Sequence, residues 1–221
     1  MIGSRSAPHP ETRVWAVEHG EARLVSRAPF EKAALASGGK LLAIVTGRGL
    51  AERNRLRVDV LATNGSGQRT VVRAGCLAKQ CPLDFAWSPD GSRLAVVLVA
   101  AGSARVRIYS AAGALLGDVT PPTVSGPALY ERVDWSPDGR WIGVLQEVGT
   151  AGTRFCCKYD YLLLRPGGGV AKVLFDIADA IHDTPVVSWA PNGKHVALTT
   201  EGAAATAARN ALITFDGSLA P

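Results

Sequence analysis

FAWSPDGSRLAVVL, residues Phe85–Leu98, contains a pentapeptide, WSPDG, that returns unchanged in VDWSPDGRWIGVL, residues Val133–Leu145. It returns again, altered, in VSWAPNGKHVALT, residues Val187–Thr199, and a degenerate copy stands upstream in LASGGKLLAIV, residues Leu35–Val45. The glycines closing the four copies are Gly39, Gly91, Gly139 and Gly193, at intervals of 52, 48 and 54 residues. A period near fifty matches one supersecondary unit of about four short strands. The pentapeptide is then either a binding site repeated or the punctuation of a repeated structure.

Turn chemistry favours punctuation. In Ser88-Pro89-Asp90-Gly91 the proline presets φ near −65° at the second position, aspartate suits the third, and glycine accepts the positive φ that follows. Pro137, Asp138 and Gly139 take the same roles in the next copy, and Pro191, Asn192 and Gly193 in the last. Such a turn closes a tight hairpin. The preceding Trp87, Trp135 and Trp189 are large and flat, and are expected to wedge between adjacent sheets. Identical roles in every unit would be odd for one active site, so Asp90 and Asp138 need no ligand to explain them.

Each copy then follows one course. An apolar strand comes first ("LLAIV", "RLAVVLVA", "WIGVLQEV", "HVALTT"), then a third strand ("RLRVDVLA", "RVRIYSA", "YDYLLLR", "ALITFD"). A glycine turn leads on to a fourth, such as "RTVVRA" or "AKVLFD". Nearly continuous runs such as "LAVVLVA" suit strands covered on both faces. A ring or arc of four-stranded sheets covers such strands where a lone sheet cannot, which is the logic of a β-propeller. The expected fold is all-β: about four four-stranded blades plus partial blade strands at the N-terminus, as an incomplete arc of a larger propeller. The expected organisation is a flexible tail at 1–11 and repeats over 12–221, in units 12–28 (partial), 30–74, 82–122, 131–176 and 185–221. "FDIADAIHD" and "EGAAATAARNA" hint at short helices.

The motif WSPDG-x-x-(L/I)-A, with an "IY" strand about twenty residues on and an "NGSGQR" turn, resembles the TolB-type β-propeller repeat, a relative of WD repeats. "WSPDGSRLAVVL" at Trp87 and "ATNGSGQRTVV" at Ala62 carry the likeness most closely. It covers residues 12 to 221. The first copy departs from it, having lost Trp, Pro and Asp, and the repeats fall short of the family's six or seven blades. The resemblance implies a non-enzymatic protein-binding or scaffold domain, with polar loops around a central channel, in a periplasmic or extracellular setting. A second implication is the propeller portion of a prolyl-oligopeptidase-type serine peptidase with its catalytic domain elsewhere. A third is an extracytoplasmic sensor domain of a membrane regulator.

Composition is that of a folded protein, with 47% hydrophobic and 19% charged residues. A net charge of +5 permits contact with anionic surfaces without arguing for it. Arg53, Arg55 and Arg57 alternate and read as the solvated face of an outer strand, with a phosphate- or acid-binding stripe as the competing reading. No aromatic stacking partners interleave them, and no nucleic-acid partner is expected. The longest apolar run, Leu94 to Ala101, is far short of the ~20 residues of a membrane helix, and the N-terminus lacks the apolar core of a signal peptide. No membrane insertion is expected.

No G-x-S-x-G, H-E-x-x-H or G-x-x-x-x-G-K-[ST] pattern is present. No catalytic residue, cofactor or metal is assigned. Cys76 and Cys81 allow a small disulfide loop in an oxidising compartment, against a zinc reading that lacks paired CxxC geometry. Of Cys156 and Cys157, at the start of a strand, one is expected in the core. Asn64-Gly65-Ser66 matches a glycosylation sequon in a turn. In propellers the connections into each innermost strand gather at one mouth of the channel. Those connections carry Glu31-Lys32, Asp84, Glu131-Arg132 and His182-Asp183, a candidate rim for a peptide, a partner protein or a cation, against the reading that exposed loops are simply polar. Exposed sheet edges are the expected route to any oligomer.

Overall fold

The computed structural model describes residues 13–18, 21–27, 30–46, 56–74, 84–100, 103–121, 128–149, 157–168, 172–180, 185–200 and 209–214. Among these every regular element is a strand. Two of them, β1 (Arg13–Glu18) and β2 (Glu21–Arg27), pair with each other as a two-stranded antiparallel sheet.

Three complete blades follow. Blade 1 runs β3 (Phe30–Leu35), β4 (Leu41–Thr46), β5 (Leu56–Ala62) and β6 (Arg69–Ala74), each strand pairing with the next. Blade 2 repeats this as β7 (Phe85–Trp87), β8 (Arg93–Ala100), β9 (Ser103–Ser110) and β10 (Leu115–Val119). Blade 3 is β11 (Ala128–Trp135), β12 (Ile142–Gly149), β13 (Cys157–Leu164) and β14 (Lys172–Ala180). A three-stranded sheet closes the described chain: β15 (Val186–Trp189), β16 (His195–Thr200) and β17 (Arg209–Thr214). The fold is an all-β propeller with partial blades.

The repeated pentapeptide forms the hairpin between the first and second strands of each blade. Gly91, Gly139 and Gly193 adopt φ of 69°, 71° and 67°, and the amide of each donates to the carbonyl three residues back, at Ser88, Ser136 and Ala190. Gly39 does the same in the degenerate copy, with φ 68°, so the turn survives the loss of its tryptophan, proline and aspartate.

Strand alternation explains the continuous apolar runs. In blade 2, Phe85, Leu94 and Val96 pack towards blade 1 with Ala43, Val45, Val58 and Val60. Their sequence neighbours Ala95 and Val97 pack towards blade 3 with Val133, Trp135, Ile142 and Val144. A strand with two such faces has no residue to spare for solvent, and each fully buried Val or Leu contributes about 1.5–3 kcal/mol.

Two expectations change. The helix hinted at in "FDIADAIHD" is strand as far as Ala180, with Asp160 opposite Asp176 and Cys157 opposite Ala180. Pairing with β13 overrides a locally helix-compatible pattern. In "EGAAATAARNA" the stretch from Arg209 is likewise strand, opposite Thr200 of β16, and the residues before it lie outside the described set. Arg57 lies on β5, third in its sheet between β4 and β6, where its Nε meets the buried Asp59 carboxylate at 2.8 Å. Arg53, Arg55, Cys76, Cys81 and Cys156 lie outside the described residues.

Candidate functional site: the inner-strand cleft

The first strand of each blade is an edge strand, and β7 lies beside both β3 and β11. Along these three edges runs an open cleft of about 520 Å³. Its charged members are Lys32, Asp84, Arg132 and Asp134; Leu35, Phe85 and Trp87 supply apolar wall. Lys32, Asp84 and Arg132 occupy one equivalent position, three residues before Leu35, Trp87 and Trp135 respectively.

Asp84 ties three blades together. Only 7% exposed, it accepts an ion-paired hydrogen bond from the Lys32 ammonium of blade 1 and a 2.7 Å bond from the Val133 amide of blade 3. Its own carbonyl accepts from the Val97 amide within blade 2. The Lys32 ammonium also stands 5.3 Å from the centre of the Phe85 ring. Val133 belongs to an edge strand, so its amide would otherwise need water, and the carboxylate removes that need.

Arg132 and Asp134 form the opposite wall, with the guanidinium Nε 3.1 Å from each carboxylate oxygen. Burial pushes the Asp134 carboxyl above the usual carboxylate range; Arg132 and Lys32 pull it back, while Asp84 adds to the push. Two cations and two carboxylates thus balance across the cleft. Each is mostly engaged with another, and Leu35 stays 57% exposed at the end of β3.

The tryptophans hold the blades in order, each reaching back to the one before. Trp87 Nε1 donates to the Ala34 carbonyl at 3.1 Å and Trp135 Nε1 to the Ala86 carbonyl at 3.0 Å. Trp189 Nε1 donates instead to the Tyr161 hydroxyl of blade 3, at 3.0 Å. Arg93 adds a cation over the Trp135 ring, 5.0 Å from its centre.

The pentapeptide carboxylates are absorbed by their own turns. Asp90 accepts from the Ser88 and Ser92 hydroxyls and the Ser92 amide, bonds that hold its pKa down at about 2. Asp138 accepts from the Ser136 hydroxyl and the Arg140 amide, and Asn192 from the Lys194 amide. Among the described residues no group of three His, Cys, Asp or Glu side chains could hold a metal ion.

Of the rim residues read from sequence, the structure brings Asp84 and Arg132 to one cleft, with Asp84 between Arg132 and Lys32, and with Asp134 added. The strands also begin earlier than expected: Glu31 lies within β3 and Glu131 within β11, not in connections leading to them. Each falls where the register shifts, between Phe30 and Lys32 and between Tyr130 and Arg132. His182 and Asp183 lie outside the described residues. Asp134 escaped sequence reading, although it directly precedes the tryptophan at a position that is alanine in blades 1 and 2.

No protein-family model and no curated protein matches this sequence. Solved structures do. The β-propeller domain of the trilobed protease from Pyrococcus furiosus, described as having an open velcro topology, matches with a TM-score of 0.61 at 13% identity. That likeness covers 96% of this chain and 64% of the other. TolB from Acinetobacter baumannii matches with a TM-score of 0.57 at 15% identity, over 90% of this chain and 44% of TolB. A Lactobacillus plantarum protein matches with a TM-score of 0.54 at 15% identity, over 94% of this chain and 65% of that protein. The chain therefore spans less than two thirds of the length of each, and what it shares with them is the β-propeller fold.

Proposed function

We propose that this propeller is a non-enzymatic binding domain whose inner-strand cleft receives an extended segment of a partner protein. The observation that carries this is the cleft itself, where exposed Leu35 and half-exposed Lys32 and Arg132 surround a buried carboxylate. An extended peptide can place an apolar side chain on Leu35 and its charges against the opposed walls. The test is selection of peptides from a displayed library on the purified chain, followed by binding to a Leu35→Arg/Arg132→Ala variant of unchanged melting temperature. Selected peptides should bind the variant at least tenfold more weakly. Equal binding to both forms, or turnover of the peptides, would overturn the reading.

The likeness to a protease propeller domain supports a second reading, the propeller portion of a serine peptidase. A G-x-S-x-G domain encoded in the same reading frame is its discriminating sign; a frame without one removes it.

A further inference from the structure

The hairpins joining first to second and third to fourth strands all emerge at one end of the blades. Their turns abut from blade to blade: a Cβ on Gly91 would meet Ser37 of blade 1, one on Gly139 would meet Pro89, and one on Gly193 would meet Asp138. The result is a continuous surface of short turns, and its charge is one-sided. Lys40, Arg69, Arg93, Arg140, Arg165 and Lys194 stand there against only Asp90 and Asp138 among the described residues. Both carboxylates are already bonded within their turns.

Lys40, Arg140 and Lys194 are exposed, and each directly follows the turn glycine of its blade. Among the described residues none of the three has a carboxylate within ion-pair distance. They form an array with one cation per blade in blade 1, blade 3 and the last sheet. Beside it, where β10 leaves its turn, Leu115 and Leu116 are 53% and 56% exposed. Trp141, half-buried, lies on the same surface under the Arg165 guanidinium, 5.3 Å from the ring centre.

We propose that this turn end is a docking surface for an anionic lipid bilayer. Spaced cations on a surface of short turns suit a plane of phosphate headgroups, and a neighbouring pair of exposed leucines can enter the acyl boundary. A single-stranded nucleic acid would need open aromatic faces for its bases, and Trp141 is already stacked on by Arg165. Docking of this kind lies on the membrane and requires no spanning segment.

Co-sedimentation with phospholipid vesicles tests it. The chain should bind vesicles with about a third phosphatidylglycerol, release in high salt, and ignore vesicles of phosphatidylcholine alone. Reversing three cations, in Lys40→Glu/Arg140→Glu/Lys194→Glu, should weaken binding by about a hundredfold or more, and Leu115→Ser/Leu116→Ser should weaken it and lower the salt concentration at which the chain is released. Circular dichroism melts establish that both variants fold; if the triple variant does not, Lys40→Gln and Lys194→Gln singly should each give about a fivefold loss. Failure to bind the anionic vesicles, equal binding to both vesicle types, or indifference to charge reversal overturns the proposal. So does tighter binding to single-stranded DNA than to the vesicles, which would reassign the surface to nucleic acid.

Discussion

Tyr161 lies across Gly143 so closely that a Cβ on the glycine would fall 1.8 Å from the phenol oxygen. The two residues are diagonal neighbours on β12 and β13, and the buried phenol goes on to accept from Trp189 of the next sheet. Burial raises the phenol's pKa, so it stays neutral and able to serve that bond. The same two positions are Ala43 and Val58 in blade 1, and Ala95 and Val106 in blade 2. Blade 3 has exchanged an alanine and a valine for a glycine and a tyrosine as a matched set. Gly143→Ala should therefore destabilise the protein by about 3 kcal/mol or more. Gly143→Ala/Tyr161→Val restores the pair found in the other blades and should recover at least about 1 kcal/mol of that loss in urea denaturation. A double variant less stable than Gly143→Ala by the full cost of Tyr161→Val alone would show that the two positions are not coupled.

Trp135 combines a buried ring with a hydrogen bond to the preceding blade. Trp135→Phe keeps most of the area and loses the bond and much of the surface under Arg93, for an expected cost of about 1–2 kcal/mol. Trp135→Ala opens a cavity between blades and should cost about 3–5 kcal/mol. Chemical denaturation midpoints distinguish the two; equal costs would mean that the buried ring contributes nothing beyond the indole hydrogen bond.

Asp84 and Lys32 should be unequal partners, because the carboxylate is nearly enclosed while the lysine side chain is 39% exposed. Asp84→Ala strands the Val133 amide and an ammonium, and should cost about 3–5 kcal/mol. Lys32→Ala should cost about 1 kcal/mol, since water can reach the carboxylate in its place. Asp84→Asn keeps an acceptor for the Val133 amide and should fall between them. Thermal melts of the three variants, taken at one pH, give the order directly.

The pH dependence of stability should contain opposed contributions from two aspartates. Asp90 titrates at about 2 in the folded chain against an ordinary 3.8, so its stabilisation is present above 3.8 and lost as pH falls to about 2. Asp90→Asn should remove that loss while keeping the turn, as Asn192 already does in the last sheet. Asp134 is shifted upward, so its charge is a liability above the carboxylate range and the liability fades on acidification. Asp134→Asn should accordingly stabilise the chain at neutral pH, with the gain vanishing in acid. Melting temperatures across the acid range read both slopes, and a neutral-pH loss in Asp134→Asn would contradict the second.

The turns, the strand order and the wedging tryptophans are legible in sequence because each rests on neighbouring residues. A proline, a glycine and a period-two apolar run report local geometry wherever they occur. The cleft is another matter. Asp84, Lys32 and Val133 lie about fifty residues apart, and nothing near Asp84 tells that its partners will be an ammonium and an amide of the flanking blades. Gly143 shows the same limit, since alone it reads as a weak strand residue and its reason is Tyr161 on the next strand. β14 reads towards helix for the complementary cause: its pairing with β13 decides its conformation.

The nesting of each turn against the one before gives the assembly a direction. Gly91 fits over Ser37, Gly139 over Pro89 and Gly193 over Asp138, always a later repeat upon an earlier one. Trp87 and Trp135 reach backwards in the same sense. Because a unit offers its successor the same kind of seat it takes from its predecessor, a whole repeat can be duplicated or lost without a new interface having to be invented. Blade number in such a protein is then free to drift by unequal exchange, while residues such as Tyr161 and Asp84, matched to particular residues of neighbouring blades, record which repeats have stayed adjacent.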